Sequence, residues 1–180
     1  MQPDLRNARR ADVPDIAALM RRSVQRLFPA FHDARETASA AVHLTVPDTV
    51  LIDDGTYFVA EAGGAIIACG GWSKRGKVYT GSGDRPGDDR VLDPASEPAR
   101  VRAMFVHEDW TRRGLGSAIL TACCGAAAAE GFTSLVLMAT LPGVPLYRSF
   151  GFREVERTLV PLPDGVTLAG VSMALDLTST

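Results

Sequence analysis

The sequence predicts an α/β fold: a mixed, largely antiparallel central sheet flanked by helices, with one locally parallel strand pair. Three observations carry this. An apolar stripe at helical spacing follows Asp12. Two β-prone runs meet at Gly63-Gly64, as the strands of a hairpin do. A strand–helix–strand unit runs from Arg100 to Met138, and a short crossover of that kind makes its two strands parallel. At 180 residues the chain can bury a sizeable core, so residues 1–180 are expected to form a single domain.

The elements follow in order. Leu5 to Arg10 reads as a short first strand. Asp12 stands where a helix N-cap belongs, with Asp15 three residues on, and Val13, Ile16, Met20, Val24 and Leu27 share one helical face. Phe28 to His32 ends that helix, a second helix covers Asp33 to Leu44, and Pro47 to Asp53 is expected to form a short turn. Thr56 to Ala60 and Ala65 to Trp72 are the hairpin strands. Between Trp72 and Ala99 the stretch "GSGDRPGDDRVLDPASEP" carries the residues of an exposed loop. Its Asp84, Asp88, Asp89 and Asp93 do not keep the spacing of a calcium loop, and Arg85 and Arg90 lie among them, so no metal site is assigned. The strand from Arg100 to His107 leads into an alanine-rich helix ending near Gly131, with Leu115, Ala118, Ile119, Ala122 and Ala126 as its expected buried stripe. A strand at Thr133 to Met138 and a short helix at Pro145 to Phe150 come next. Two last strands, Phe152 to Val160 and Val166 to Leu175, turn at Pro163-Asp164-Gly165.

Composition excludes several classes of function. A net charge of −2 gives no general attraction to nucleic acid or to an anionic membrane. No apolar run approaches a membrane span, and the charged start "MQPDLRNARR" opens no signal-peptide core. The three cysteines (Cys69, Cys123, Cys124) are an odd number without metal-ligand spacing, which points to a reduced, cytoplasmic protein.

The joint "VHEDWTRRGLGSAIL", Val106 to Leu120, is the most informative stretch. A strand passes into a helix through Arg112-Arg113-Gly114-Leu115-Gly116. The first amides of a helix lack intrahelical acceptors, and the helix dipole adds positive charge there. Glycines at 114 and 116 would let an anion approach those amides, two arginines add phosphate-binding donors, and Ser117 adds a hydroxyl. A pyrophosphate cradle is the physical inference. The Lys-Ser/Thr of a nucleotide-triphosphate loop is missing, and Ile119 stands where a dinucleotide-binding fold needs its third glycine. The plainer alternative is a glycine-softened helix start with two solvated arginines.

Thr111 to Gly116 resembles the acyl-CoA loop Q/R-x-x-G-x-G/A of the GNAT superfamily of acetyl-CoA-dependent N-acetyltransferases, with Thr111 at its first position. "PLYRSFGF", Pro145 to Phe152, is similar to that family's L-Y-x-x-x-G-F segment, and Thr140 stands seven residues before Tyr147, where the family often has Asn. The resemblance is strongest from about Arg100 to Phe152. It implies a sheet whose parallel pair splays around the cofactor, assisted by a bulge in the first strand of the pair. It further implies acetyl-CoA as co-substrate, with no metal, and direct attack by a primary amine in a ternary complex. Met104, Phe105 and Val106 would line the pantetheine, a backbone N–H near Phe105 or Val106 would polarise the thioester carbonyl, and Arg112, Arg113, Gly114, Leu115, Gly116 and Ser117 would hold the pyrophosphate. Thr140 would border the cofactor arm, and Tyr147 would protonate the leaving thiolate.

The general base and the acceptor stay open at this point. Glu61, His107 and Glu108 are bases without a fixed geometry, His32 and His43 could touch an acceptor, and water relay is an alternative. In this fold the acceptor enters beside the first two helices and the last hairpin, which makes Phe28 and Phe31 pocket candidates, with Trp72 and Tyr79 behind them. A small-molecule or peptide amine fits, and a homodimer is left open. The other function classes are a non-catalytic acyl-CoA-binding or sensing module and an unrelated phosphate-binding protein.

Overall fold

In the computed structural model, which describes residues 2–79 and 85–178, the chain opens with a short strand, β1 (Asp4–Asn7). Arg6 on this strand binds both Asp12 and Glu61. That changes the start of α1 (Val13–Leu27). A 3₁₀ turn over Arg10–Asp12 precedes the helix, and the Asp12 carboxylate accepts from Arg6 and from the Arg9 N–H instead of capping a helix amide. The expected side-chain cap is therefore replaced by an ion pair. The helix still buries Ile16, Leu19, Met20 and Val24, and Phe28–Ala30 ends it in a second 3₁₀ turn.

α2 (Ala34–His43) starts on a reciprocal cap, in which the Glu36 N–H donates to Asp33 at 2.7 Å and the Asp33 N–H donates to Glu36 at 3.0 Å. The segment expected as a turn from Pro47 to Asp53 is instead a short helix, α3 (Thr49–Asp53). Asp48 caps it by accepting from the Val50 N–H, and Leu51 and Ile52 give it an apolar side to bury.

β2 (Tyr57–Ala62) and β3 (Ala65–Ser73) form the expected hairpin, with Gly63 and Gly64 at φ +58° and +79°, the left-handed pair a two-residue turn requires. β4 (Ala99–Val106), α4 (Leu115–Ala129) and β5 (Ser134–Thr140) make the parallel crossover. α5 (Val144–Phe150), β6 (Arg153–Pro161) and β7 (Thr167–Asp176) complete the chain. The strands lie in the order β1-β2-β3-β4-β5-β7-β6, and β4–β5 is the parallel contact in an otherwise antiparallel sheet.

Strand alternation sends successive side chains to opposite faces. Val59 and Cys69 meet α1 through Ile16 and Met20, while Ala60, Ala68, Val101 and Leu135 meet α4 through Ile119 and Leu120. A third cluster joins Val24 and Ala40 of the first two helices, with Phe28 and Leu44 just past their ends, to Leu162 and Leu168 of the last hairpin. The buried stripe of α4 differs from the expected one. Leu115, Gly116, Ile119, Leu120, Cys123 and Ala127 face the core, and Ala118 is exposed. Leu120 and Cys123 set the phase, because the surrounding alanines offer no contrast between the two sides. Among the described residues no helix is long and apolar enough to cross a membrane.

Candidate active site

Two backbone features open the sheet. The register of β3 on β4 runs Cys69 to Phe105 and then Gly71 to Arg102, so Ala103 and Met104 together oppose Gly70. This is a β-bulge, and Ala103 takes φ +55°, a left-handed conformation rare for a residue with a Cβ. A Cβ on Gly70 would stand 2.7 Å from the Met104 sulfur, so the glycine makes room for the bulged side chain. On the other edge, β4 pairs with β5 only at Ala99–Leu135 and Arg100–Val136. The strands then diverge. The His107 N–H donates to Ile67 of β3 at 2.9 Å, so alternation turns the Val106 N–H toward the edge that β5 has left.

The divergence opens into a cavity of about 570 Å³, lined along its middle by Arg102 to Val106 of β4. Arg112 and Gly114 to Ser117 line the half beside α4, together with Met138 to Thr140 and Tyr147. Ser23 and Leu27 of α1, with Phe28 and Leu44 just past the ends of α1 and α2, line the other half together with Val160 and Leu168 of the last hairpin.

The strand-to-helix joint combines two left-handed residues, Arg112 at φ +59° and Gly114 at φ +83°, and Gly114 is the residue from which α4 starts. The first intrahelical bond closes from the Ala118 N–H to the Gly114 carbonyl at 2.9 Å, leaving the amides of Leu115, Gly116 and Ser117 without acceptors in the helix. Gly116 has a packing reason as well, and it also lines the cavity. A Cβ there would lie 2.5 Å from Leu146 of α5, so this glycine serves helix packing beside the loop. The two arginines also part company. Arg112 borders the cavity, whereas Arg113 stacks over the Trp110 ring at 4.9 Å and is not among the lining residues.

Tyr147 is 8% exposed and borders the cavity, its ring edge-on to Phe152 with centroids 5.8 Å apart. Burial, with the neighbouring Cys123 second, pushes its phenol well above the ordinary range, so the hydroxyl keeps its proton at neutral pH. Burial likewise raises the Cys69 thiol to about 12 and moves Cys123 and Cys124 in the same direction. All three stay protonated and are poor nucleophiles.

The other candidates are engaged elsewhere. Glu61 binds Arg6 on the β1 side of the sheet, away from the cavity. Glu108 pairs with Arg22 at 2.6 Å and Arg26 at 3.7 Å, which ties the loop to α1, and the Arg22 bond holds its carboxyl below the usual range. His107 accepts from the Asp109 N–H, His32 packs on Phe28 and faces Glu36, and His43 faces Asp164 at 3.6 Å. Among the described residues His107, Glu108 and Asp109 form one group with ligand atoms within 4.8 Å of one another, and two arginines already share Glu108. In the loop, Asp88 and Asp93 accept from nearby backbone amides, and Asp84 lies outside the described residues. Of the aromatic acceptor candidates, Phe28 and Tyr79 line the cavity. Trp72 is instead packed in the core against Phe132, and Phe31 is half exposed on the surface.

Sequence reasoning missed Ala103, Trp110 and the apolar wall made by Leu27, Leu44, Val160 and Leu168. One signal was present for the bulge: two glycines inside a strand, Gly70-Gly71, mark a close backbone approach.

A mixed sheet split at its parallel pair, with a helix start beside the split, is the arrangement that the resemblance to acetyl-CoA-dependent acyltransferases implies. Residues 53–154 match the family model of the acetyltransferase (GNAT) domain, and the chain belongs to that family. No curated protein matches the sequence. Solved structures agree in fold. A GCN5-related N-acetyltransferase from Rhodopseudomonas palustris shares 18% identity at a TM-score of 0.73, over 98% of this chain and 96% of that one. PaiA N-acetyltransferase from Thermoplasma acidophilum, in complex with coenzyme A, shares 12% at 0.68, over 98% and 99%. YncA from Salmonella typhimurium, solved with its cofactor acetyl-CoA, shares 17% at 0.63, over 98% and 95%.

Proposed function

We propose that this chain, as one domain over residues 1–180, is an N-acetyltransferase that moves the acetyl group of acetyl-CoA to a primary amine by direct attack in a ternary complex. The observation that carries this reading is the divergence of β4 from β5 beyond Arg100 and Val136, which gives one cavity two differently built halves.

The half beside α4 suits the cofactor. The free amides of Leu115 to Ser117, the Arg112 guanidinium and the Ser117 hydroxyl, all from residues that line the cavity, would hold the pyrophosphate. The backbone of Met104 to Val106 would run beside the pantetheine, with Thr140 and Tyr147 across from it. The Val106 N–H, turned to the open edge, would polarise the thioester carbonyl and receive the oxyanion as the amine adds. Tyr147, neutral and bordering the cavity, would give its proton to the departing thiolate.

The half beside α1 and α2 suits the acceptor. Leu27, Phe28, Leu44, Val160 and Leu168 form an apolar wall around the place from which an amine would reach the thioester, which fits an amine carried on an apolar body. The amine's proton would leave through water, since Glu61, Glu108, His32 and His43 are occupied by their own partners. Raised cysteine thiols favour direct attack over an acetyl-cysteine route.

Acetyl transfer across a panel of apolar amines, amino acids, peptide N-termini and polyamines, read as free CoA thiol, tests the function. Mass spectrometry without acceptor tests the route. The expected result is amine-dependent thiol release with no acetyl-protein adduct. No thiol release with any amine would sink the enzymatic reading, and a chemically competent adduct would sink direct attack.

A further inference from the structure

The two glycines inside β3 serve different neighbours. Gly70 leaves space for Met104, and Gly71 leaves space for Tyr57, since a Cβ on Gly71 would stand 2.7 Å from Tyr57 Cδ2 and 2.5 Å from the Thr56 carbonyl oxygen. Tyr57 lies on β2 opposite Gly71 in register, so its ring reaches past β3 at this gap. Its hydroxyl donates to the Ala103 carbonyl oxygen on β4 at 2.7 Å. The tyrosine is 1% exposed, and burial keeps its phenol protonated, which makes it a permanent donor.

The acceptor of that bond is the residue at φ +55°. An alanine does not hold a left-handed conformation unaided, because its Cβ crowds the neighbouring carbonyl. Such residues persist where surrounding contacts over-determine them. The peptide group is planar, so fixing the Ala103 carbonyl also fixes the Met104 N–H, which points the opposite way. Ala103 and Met104 both line the cavity.

We infer that Tyr57 is a positioning residue of the candidate active site: its hydroxyl clamps the β4 bulge at Ala103 and so sets where the amides of Met104 to Val106 stand along the cavity. The inference rests on the proposed acetyl transfer for its catalytic consequence, and on geometry alone for the clamp. Three separated segments build the device, with Tyr57 as the arm, Gly70-Gly71 as the gap and Ala103-Met104 as the part held.

Tyr57→Phe keeps the ring and deletes the bond. Amide hydrogen exchange at Met104 and Phe105 is expected to accelerate in this variant. Its kcat is expected to fall about fivefold, the rate equivalent of one net hydrogen bond, with acceptor KM unchanged. Adding Ala103→Gly should recover most of that rate, because glycine adopts positive φ without being held. A packing role alone would lower the melting temperature, leave kcat intact below it and give no rescue. Exchange at the wild-type rate in folded Tyr57→Phe overturns the clamp whether or not an acceptor has been found. Accelerated exchange with unchanged kcat on a confirmed acceptor overturns the positioning role. Failure of both Tyr57→Phe and the double variant to fold assigns Tyr57 to packing and overturns the inference as well. Absence of acetyl transfer by the wild type would count against the proposed function, with the exchange measurement still deciding the clamp.

Discussion

The two edges of β4 received opposite treatment. Toward β3 the strand is paired from Arg100 to Val106, broken only by the bulge that Tyr57 holds from behind. Toward β5 it is paired at Ala99 and Arg100 and then left open. One edge is sealed and the other exposes backbone donors and acceptors along a cavity. Unpaired strand edges are costly when water is excluded from them. A ligand with amides of its own, such as a pantetheine arm, is a natural partner for an edge of this kind. The cavity lies where strand pairing stops, and the opposite edge is braced by the Tyr57 hydrogen bond.

The largest expected effect comes from breaking the open side. Tyr147→Phe keeps the ring against Phe152 and removes the hydroxyl, so kcat should fall about 10²-fold while acetyl-CoA affinity holds. Measuring kcat on a confirmed acceptor, with cofactor affinity titrated separately, decides it. Wild-type turnover in a folded variant would return Tyr147 to the core and leave thiolate departure to water.

The loop offers a comparison within the comparison. Arg112 and Arg113 are sequence neighbours of the same type, yet Arg112 borders the cavity and Arg113 lies over Trp110. Arg112→Ala should weaken acetyl-CoA binding about tenfold, as the loss of one charge-assisted contact does, and the loss should shrink with added salt. Arg113→Ala should cost only about twofold, through a looser Trp110. Calorimetric titration of both variants tests the split. Equal losses would place both guanidinium groups on the pyrophosphate.

Much of this contrast was readable before the structure. The switch between apolar periods located six of the seven strands to within a few residues and placed the seventh, β1, at its first residues. The joint at Arg112 to Ser117 stood out because two arginines and two glycines interrupt the apolar pattern between a strand and a helix. What could not be read had physical causes. The phase of α4 was hidden by alanines that fit either side of a helix. Trp72 and Phe28 look alike as large apolar residues, and only the tertiary fold sends one to Phe132 and the other to the cavity wall. The place of the bulge within β4 depends on a left-handed alanine, which no propensity favours. The acceptor wall gathers Leu27, Leu44, Val160 and Leu168 from distant segments, each indistinguishable in sequence from core. Asp12 stands at a helix start, where a cap belongs, whereas Arg6 claims its carboxylate.

That last ion pair supplies the smallest effect and a control far from the open edge. Arg6 on β1 holds the Asp12 carboxyl below its ordinary value, mainly through their direct hydrogen bonds. A carboxyl whose pKa is depressed on folding adds stability that is full above its unfolded value, near 4, and disappears as pH falls through the folded value. Asp12→Asn should therefore cost about 1 kcal/mol at pH 7, the scale of a partly exposed charged hydrogen bond. The gap to wild type should narrow below about pH 4, as the wild-type carboxyl itself takes up a proton. Urea unfolding of both proteins from pH 7 down to about pH 2.5 measures this, and at pH 7 the kcat of Asp12→Asn should equal that of the wild type because β1 lies three strands from the split. A gap that stayed constant with pH would show that the carboxylate charge is not what Arg6 stabilises. A fall in kcat would show that the distal edge of the sheet is coupled to the open edge of β4, and that the bracing extends beyond Tyr57.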